Sequence, residues 1–374
     1  MNNSISIDVQ TVFSGYDGKT CWVNPMVENI PDSSGLTIMV GQKLLLSHSD
    51  RFYGLNIAES RDGGKNWSEF QPIPPIENTP TPSGERSVAG MTLNYLPATG
   101  QVMSIGCDVG YTHNHEIDNE YQRSIIYTFY DSATNKWNNL KKLQLPAEFS
   151  KYNTTVCNSQ LVILDNGDIA IPVMIRINNS TDPFAGRYGV SVLRCRLENG
   201  ELNCYGHGTI LCIDVDHGLF EPSLTRHNGC YFLTLRNDQS GYVSCGNTPF
   251  EFDIPKKWTF DDGEWLGNHN TQQHWLTLDG NLYLVYTRKG LSNDHVFRHR
   301  APLLISKIDP ETLTVIRDTE QVVIPEHGAR IGNFGVTRIS DCESWVTVAE
   351  WMQPAGCERY GSNNRVFLAR ITKQ

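Results

Sequence analysis

The chain lacks any apolar run long enough to span a membrane. Its first residues, Met1-Asn2-Asn3-Ser4-Ile5, carry neither the basic nor the apolar segment of a secretion signal. No C-x-x-C pair or zinc-like spacing occurs among its ten cysteines. Helical periodicity is scarce, and positive charge is in deficit, the formal net charge being −10. The first two absences predict a cytoplasmic protein with no membrane partner, a trimmed leader being the alternative. The third predicts reduced, mostly buried thiols with neither metal nor cofactor, a disulfide framework being the alternative. The charge argues against nucleic acid and anionic membranes as partners. It leaves room for a small anionic substrate, because a local arginine cluster can dominate the field inside a cleft. Arginine gathers late in the chain, at Arg288, Arg298, Arg300, Arg330, Arg338, Arg359 and Arg365.

A repeat stands in place of helices. Six tight turns are each followed by an apolar strand: Gly41-Gln42, Ala98-Thr99-Gly100, Asp165-Asn166-Gly167, His227-Asn228-Gly229, Asp279-Gly280 and Ser340-Asp341-Cys342. Their spacing of roughly 50–70 residues is a propeller-blade period. The expectation is an all-β, six-bladed β-propeller of four-stranded antiparallel blades, one domain over residues 1–374. The segment from Ile5 to Val12 closes the ring with the last blade. A seventh, degenerate blade is the alternative. If these hairpins are the inner strands, residues seven or eight places after each turn ring one mouth. They are His48, Cys107-Asp108, Arg176, Arg236, Arg288 and Glu350. The starts of the first strands add Glu85-Arg86, Asn158 to Gln160, Glu221, Gln272-Gln273-His274 and Asn333.

One further stretch, Ser60-Arg61-Asp62-Gly63-Gly64-Lys65-Asn66-Trp67, reads as a hairpin whose Asp caps its own turn and whose Trp packs back across it. It resembles the Asp-box (BNR repeat) of sialidases and related β-propellers, with Asn66 where Thr is usual. That resemblance implies a propeller and places the motif between the two outer strands of a blade, away from the active site. Phe220-Glu221-Pro222-Ser223 with Leu235-Arg236 resembles a sialidase blade whose Arg binds the substrate carboxylate and whose Glu lies beneath the ring. The stretch from Trp345 to Glu350 resembles one ending in a buried Glu. The chain departs from sialidases in three places. The last blade offers Asn333 and Phe334 where the family has its catalytic Tyr. Val27-Glu28-Asn29-Ile30-Pro31 stands where the family has an early arginine. Gly84-Glu85-Arg86-Ser87 stands where an Asp acid is usual.

The resemblance therefore implies a divergent, sialidase-like glycoside hydrolase acting on a small glycan with an acidic sugar. Glu85, Glu221, Asp294 and His48 are the candidate proton donors, and Glu350 completes the catalytic candidates. Arg86, Arg176, Arg236, Arg288 and Arg330 are the candidate carboxylate ligands, with Gln273, His274, His295 and Asn333 as further substrate contacts. His295 and His299 stand four apart, but no metal motif surrounds them. Two alternatives remain: a polysaccharide or oligosaccharide lyase using His48, His113 or His274 as base on a uronate, and a non-catalytic glycan-binding propeller. Sugar identity and oligomeric state are not legible.

Overall fold

The computed structural model describes residues 5–31, 35–48, 50–149, 152–177 and 182–373. Residues 1–4, on which the reading of the amino terminus largely rests, lie outside them. Among the described residues no helix is long and apolar enough to cross a membrane.

The strands form six small antiparallel sheets, which are the six blades of a propeller. Blade 4 is the plainest, with Phe220–His227, Cys230–Arg236, Gly241–Gly246 and Lys256–Lys257 in simple succession. Blades 1, 2, 3 and 5 follow the same up-and-down order, some with an outer or inner strand broken into two pieces. Blade 6 closes the ring. Its strands Phe334–Arg338, Glu343–Ala349 and Val366–Lys373 take the N-terminal strand Ile5–Phe13 as their fourth member. The core lies between blades, because both faces of each inner sheet are covered. Met103, Ile105 and Phe129 of blade 2, for example, pack with Ile169, Ile171 and Leu193 of blade 3.

Five of the six turns expected from sequence join first and second strands. The turn at Gly41-Gln42 does not. Both residues lie inside the second strand of blade 1, Thr37–Leu45, whose pairing with the first strand begins at Asn29 opposite Thr37, so the chain has reversed before Thr37 and not at Gly41. Gly41 is needed for close approach rather than for turning, since a Cβ there would sit 2.9 Å from the Phe70 ring. Gln42 is fully buried and donates to the carbonyls of Tyr53 (2.8 Å) and Val88 (3.0 Å).

The Asp62 hairpin lies between the third and fourth strands of blade 1, Arg51–Ser60 and Gln71–Pro72. Asp62 Oδ1 accepts the N–H groups of Lys65 (3.0 Å) and Asn66 (2.9 Å), and Trp67 Nε1 donates to Gly64 O (3.0 Å). These bonds hold the Asp62 carboxyl well below its usual range, the Asn66 N–H being the largest cause. The hairpin also fastens the ring. Arg370, on the last strand, donates to the carbonyls of Gly63 (3.2 Å) and Gly64 (2.6 Å), and Gln10 of the closing strand donates to Lys65 O (2.8 Å). Arg370→Ala removes two charge-assisted bonds across the seam between blades 6 and 1. We expect it to cost about 2 kcal/mol and to lower the melting temperature by roughly 2–4 °C in calorimetry.

A recurrent local feature shapes the mouth. The register of the first strands breaks between Val23 and Met26, between Ala89 and Thr92, and between Phe220 and Ser223. The residues at these bulges have positive φ: Asn24 (52°), Gly90 (60°) and Glu221 (46°). Asn and Gly tolerate this conformation, whereas Glu does so only at a cost of about 1–2 kcal/mol. The bulge turns the Glu221 side chain toward the axis.

Candidate functional site: an arginine-lined axial cavity

A cavity of about 520 Å³ opens on the axis at the end of the propeller where second strands finish, with residues of all six blades on its wall. Five arginines line it (Arg123, Arg236, Arg298, Arg300, Arg330) against two carboxylates, Asp50 and Glu221. On a chain of net charge −10, this is a local reversal of sign.

Three of the arginines are fixed by the protein. Arg236 ends the second strand of blade 4. It donates through Nε to Asn270 Oδ1 (3.1 Å), pairs through Nη1 with Glu221, and lies over the Phe220 ring at 4.7 Å. Arg300 is 3% exposed and donates only to the backbone carbonyl of Asn270, through Nε at 3.1 Å and Nη2 at 2.6 Å. No carboxylate among the described residues pairs with it. Burial, with the neighbouring Arg236 and Arg330, pushes its guanidinium well below the usual value. Arg330 is 6% exposed, stacks 3.8 Å over the Trp351 ring, and is lowered to about 10, again mainly by burial. Its Nε has no hydrogen-bond partner. Cations buried without counter-ions are costly, so the cavity is preorganised for an anion.

Asp50, with φ 52°, sits in the loop after the second strand of blade 1, and its negative charge acts on Arg330. Tyr111 holds this loop by donating its hydroxyl to Asp50 O (2.7 Å). His48, on the same loop, bonds through Nδ1 to Ser47 Oγ (2.8 Å), and its ring lies edge-on to His115 at 5.8 Å. His115 in turn lies 3.7 Å from Glu85, which pairs with Arg51. Burial pushes the wall thiols up, Cys107 to about 11 and Cys157 well above its usual value, which keeps both protonated. Tyr188 is the one tyrosine on the wall among the described residues. The expected position in blade 6 carries Asn333, which donates to Asn24 Oδ1 (3.1 Å).

Of the candidates expected from sequence, Glu221, His48, Arg236, Arg330 and Asn333 meet in this cavity. Glu85 stands behind its rim. The others are placed elsewhere. Glu350 is buried and paired with Arg365 (2.6 Å), and Arg288 is paired with Glu320 (2.6 Å). The Asp294 carboxylate is 96% exposed, and His295 bonds Glu326 (2.7 Å). Arg86 donates to Thr79 (3.2 Å), and Arg176 lies exposed near Tyr188. Gln273 and His274 are buried in the interior, off the cavity wall. Arg300, Asp50 and Arg123 were not among the candidates. All three sit in loops, and the available signal was position: each of those loops joins the second to the third strand of a blade. Among the described residues no cluster of His, Cys, Asp and Glu could hold a metal ion.

No family model matches this chain, and no curated protein matches it either. Solved structures do match. A protein of unknown function from Dyadobacter fermentans superposes with a TM-score of 0.69 at 13% identity, covering 98% of this chain and 99% of that one. Trypanosoma rangeli sialidase superposes with a TM-score of 0.63 at 13% identity, over 99% of this chain. The chain has a divergent sialidase-like fold. The NanB sialidase of Streptococcus pneumoniae gives a TM-score of 0.64 at 10% identity, over 96% of this chain. The sialidase-like propeller corresponds to 60% of the trypanosomal enzyme and 70% of NanB.

A second cavity of about 500 Å³ opens at the opposite end, among the hairpin turns. It contains Glu28, whose carboxyl burial pushes up to about 8, and His274, whose imidazole burial pushes down to about 3. Glu28 favours the fold in its protonated form, so its contribution is lost as pH rises from about 4.5 to 8. His274 favours the fold when neutral, so its contribution is lost as pH falls from about 6.5 to 3. The two windows overlap from about pH 4.5 to 6.5, where the opposing slopes cancel, and stability is expected to be highest there. Glu28→Gln should flatten the alkaline fall in a series of thermal melts from pH 5 to 9; an unchanged slope contradicts the assignment.

Proposed function

We propose that the protein is a glycoside hydrolase acting on a small glycan that contains an acidic sugar, whose carboxylate is held by Arg236 and Arg300. The observation that carries this reading is Arg300, buried, without a carboxylate partner among the described residues, and joined to Arg236 through Asn270. Two guanidinium groups anchored on one residue from two sides form a fork suited to a carboxylate. The likeness to sialidases supports an acidic sugar as the occupant, and a cavity of about 520 Å³ suits one or two sugar rings. Trp351, Phe297 and Tyr188 offer apolar faces to the ring.

Asp50, on the rim loop, takes up a proton from solvent as the anionic substrate displaces its charge from Arg330, and passes that proton to the glycosidic oxygen as the C–O bond breaks. Glu221, beside Arg236, takes the proton of the water that attacks the anomeric carbon. This pair of carboxylates does the work otherwise divided between an acid and a base or nucleophile in glycosidases. The neutral thiols of Cys107 and Cys157 take no part.

One observation favours a second reading. The array His48–His115–Glu85 at the rim could carry a proton away from a uronate, giving elimination by a lyase. Incubation with a panel of acidic-sugar glycosides decides between them. Release of reducing sugar without new ultraviolet absorbance supports hydrolysis, and a new absorbing C=C bond supports the lyase. Tight binding of the sugars with neither product contradicts both and leaves a binding protein.

A further inference from the structure

The cavity holds more positive charge than one carboxylate answers, and the arginines fall into two pairs. The inner pair, Arg236 and Arg300, is tied to the side chain and backbone of Asn270. The outer pair, Arg298 and Arg330, shares the Phe297 ring, with guanidinium carbons 5.0 and 5.2 Å from its centroid. Glu221 and a single substrate carboxylate balance the inner pair. Asp50 offsets one charge of the outer pair and leaves the other uncompensated, while Arg123 adds a further charge on the wall. Arg330 Nε is buried, has no partner, and belongs to a side chain on the cavity wall. Arg330 is buried while Arg298 is exposed at the cavity mouth, so the uncompensated charge of this pair faces the cavity, where it favours an anion.

We propose that the substrate carries a second anionic group, a phosphate, sulfate or second carboxylate, that docks between Arg298 and Arg330 over the Phe297 edge while the sugar carboxylate occupies the Arg236–Arg300 fork. The inference rests on the reading of the cavity as an acidic-sugar site and narrows that site to a dianionic glycan. It also gives Phe297, 41% exposed, a role as the apolar spacer between the two anion positions.

Calorimetric titration at low salt tests it, using a hexuronic acid and the same acid bearing a phosphate monoester. The wild-type protein is expected to bind the phosphorylated acid about 10-fold more tightly or better. Arg298→Gln, an exposed position that does not threaten folding, should remove most of that ratio. Arg330→Gln should do the same if the variant folds. Equal affinity for both acids in the wild type overturns the proposal, as does an unchanged ratio in Arg298→Gln. Arg236→Gln separates it from the carboxylate reading. Weaker binding of both acids with the ratio kept supports two distinct anion positions. Undiminished hexuronate binding contradicts the carboxylate fork and the pairing built on it.

Discussion

Arg300→Gln is expected to weaken binding of an acidic sugar about 100-fold or more while making the protein more stable. The two effects share one cause. The Arg300 guanidinium is buried among other arginines, its bonds going only to Asn270 O. The unliganded fold therefore bears the cost of holding a desolvated charge. Glutamine removes that charge and can still donate to the same carbonyl, so we expect a gain of about 1–3 kcal/mol. Arg300→Lys keeps the charge but lacks the planar fork, and should lose most of the affinity without the gain in stability. Paired titration and thermal melts check both halves. A variant that is both weaker in binding and less stable would mean that Arg300 is a structural strut.

The second large effect concerns proton transfer. Asp50→Asn should lower kcat about 10²–10⁴-fold without raising KM, because Asp50 lies on the rim, away from the inner arginine fork, and its charge opposes an anion at Arg330. Glu221→Gln should lower kcat to a similar degree and also raise KM, since it removes the partner of Arg236. Steady-state kinetics on a glycoside identified by the panel measure the split. Wild-type kcat in Asp50→Asn removes it from the mechanism and returns the acid's role to His48.

The fold was legible because its signals are local. Glycine turns at a blade period and the Asp62 hairpin report on backbone conformation wherever they occur, so five hairpins and the ring-closing N-terminal strand could be read directly. Gly41 misled because a glycine that admits the Phe70 ring is indistinguishable in sequence from one that turns the chain. The site was legible only in part. Counting from a true turn to the end of its strand reached Arg236 on the cavity wall, whereas His48 was reached by a count that began at Gly41-Gln42, inside a strand. The same count reached Arg288 and Glu350, which turn instead to Glu320 and Arg365. Arg300 and Asp50 stand on loops between strands, where length is not governed by the two-residue period of a strand. Their direction follows from tertiary packing around Asn270 and Tyr111.

The most direct measurement is a crystal structure of the protein soaked with a hexuronic acid. The account predicts the sugar in the axial cavity, its carboxylate bonded to Arg236 and Arg300, with Glu221 beneath the ring and Asp50 toward the glycosidic oxygen. A cavity that stays empty of sugar, or a carboxylate bound away from both arginines, would contradict it.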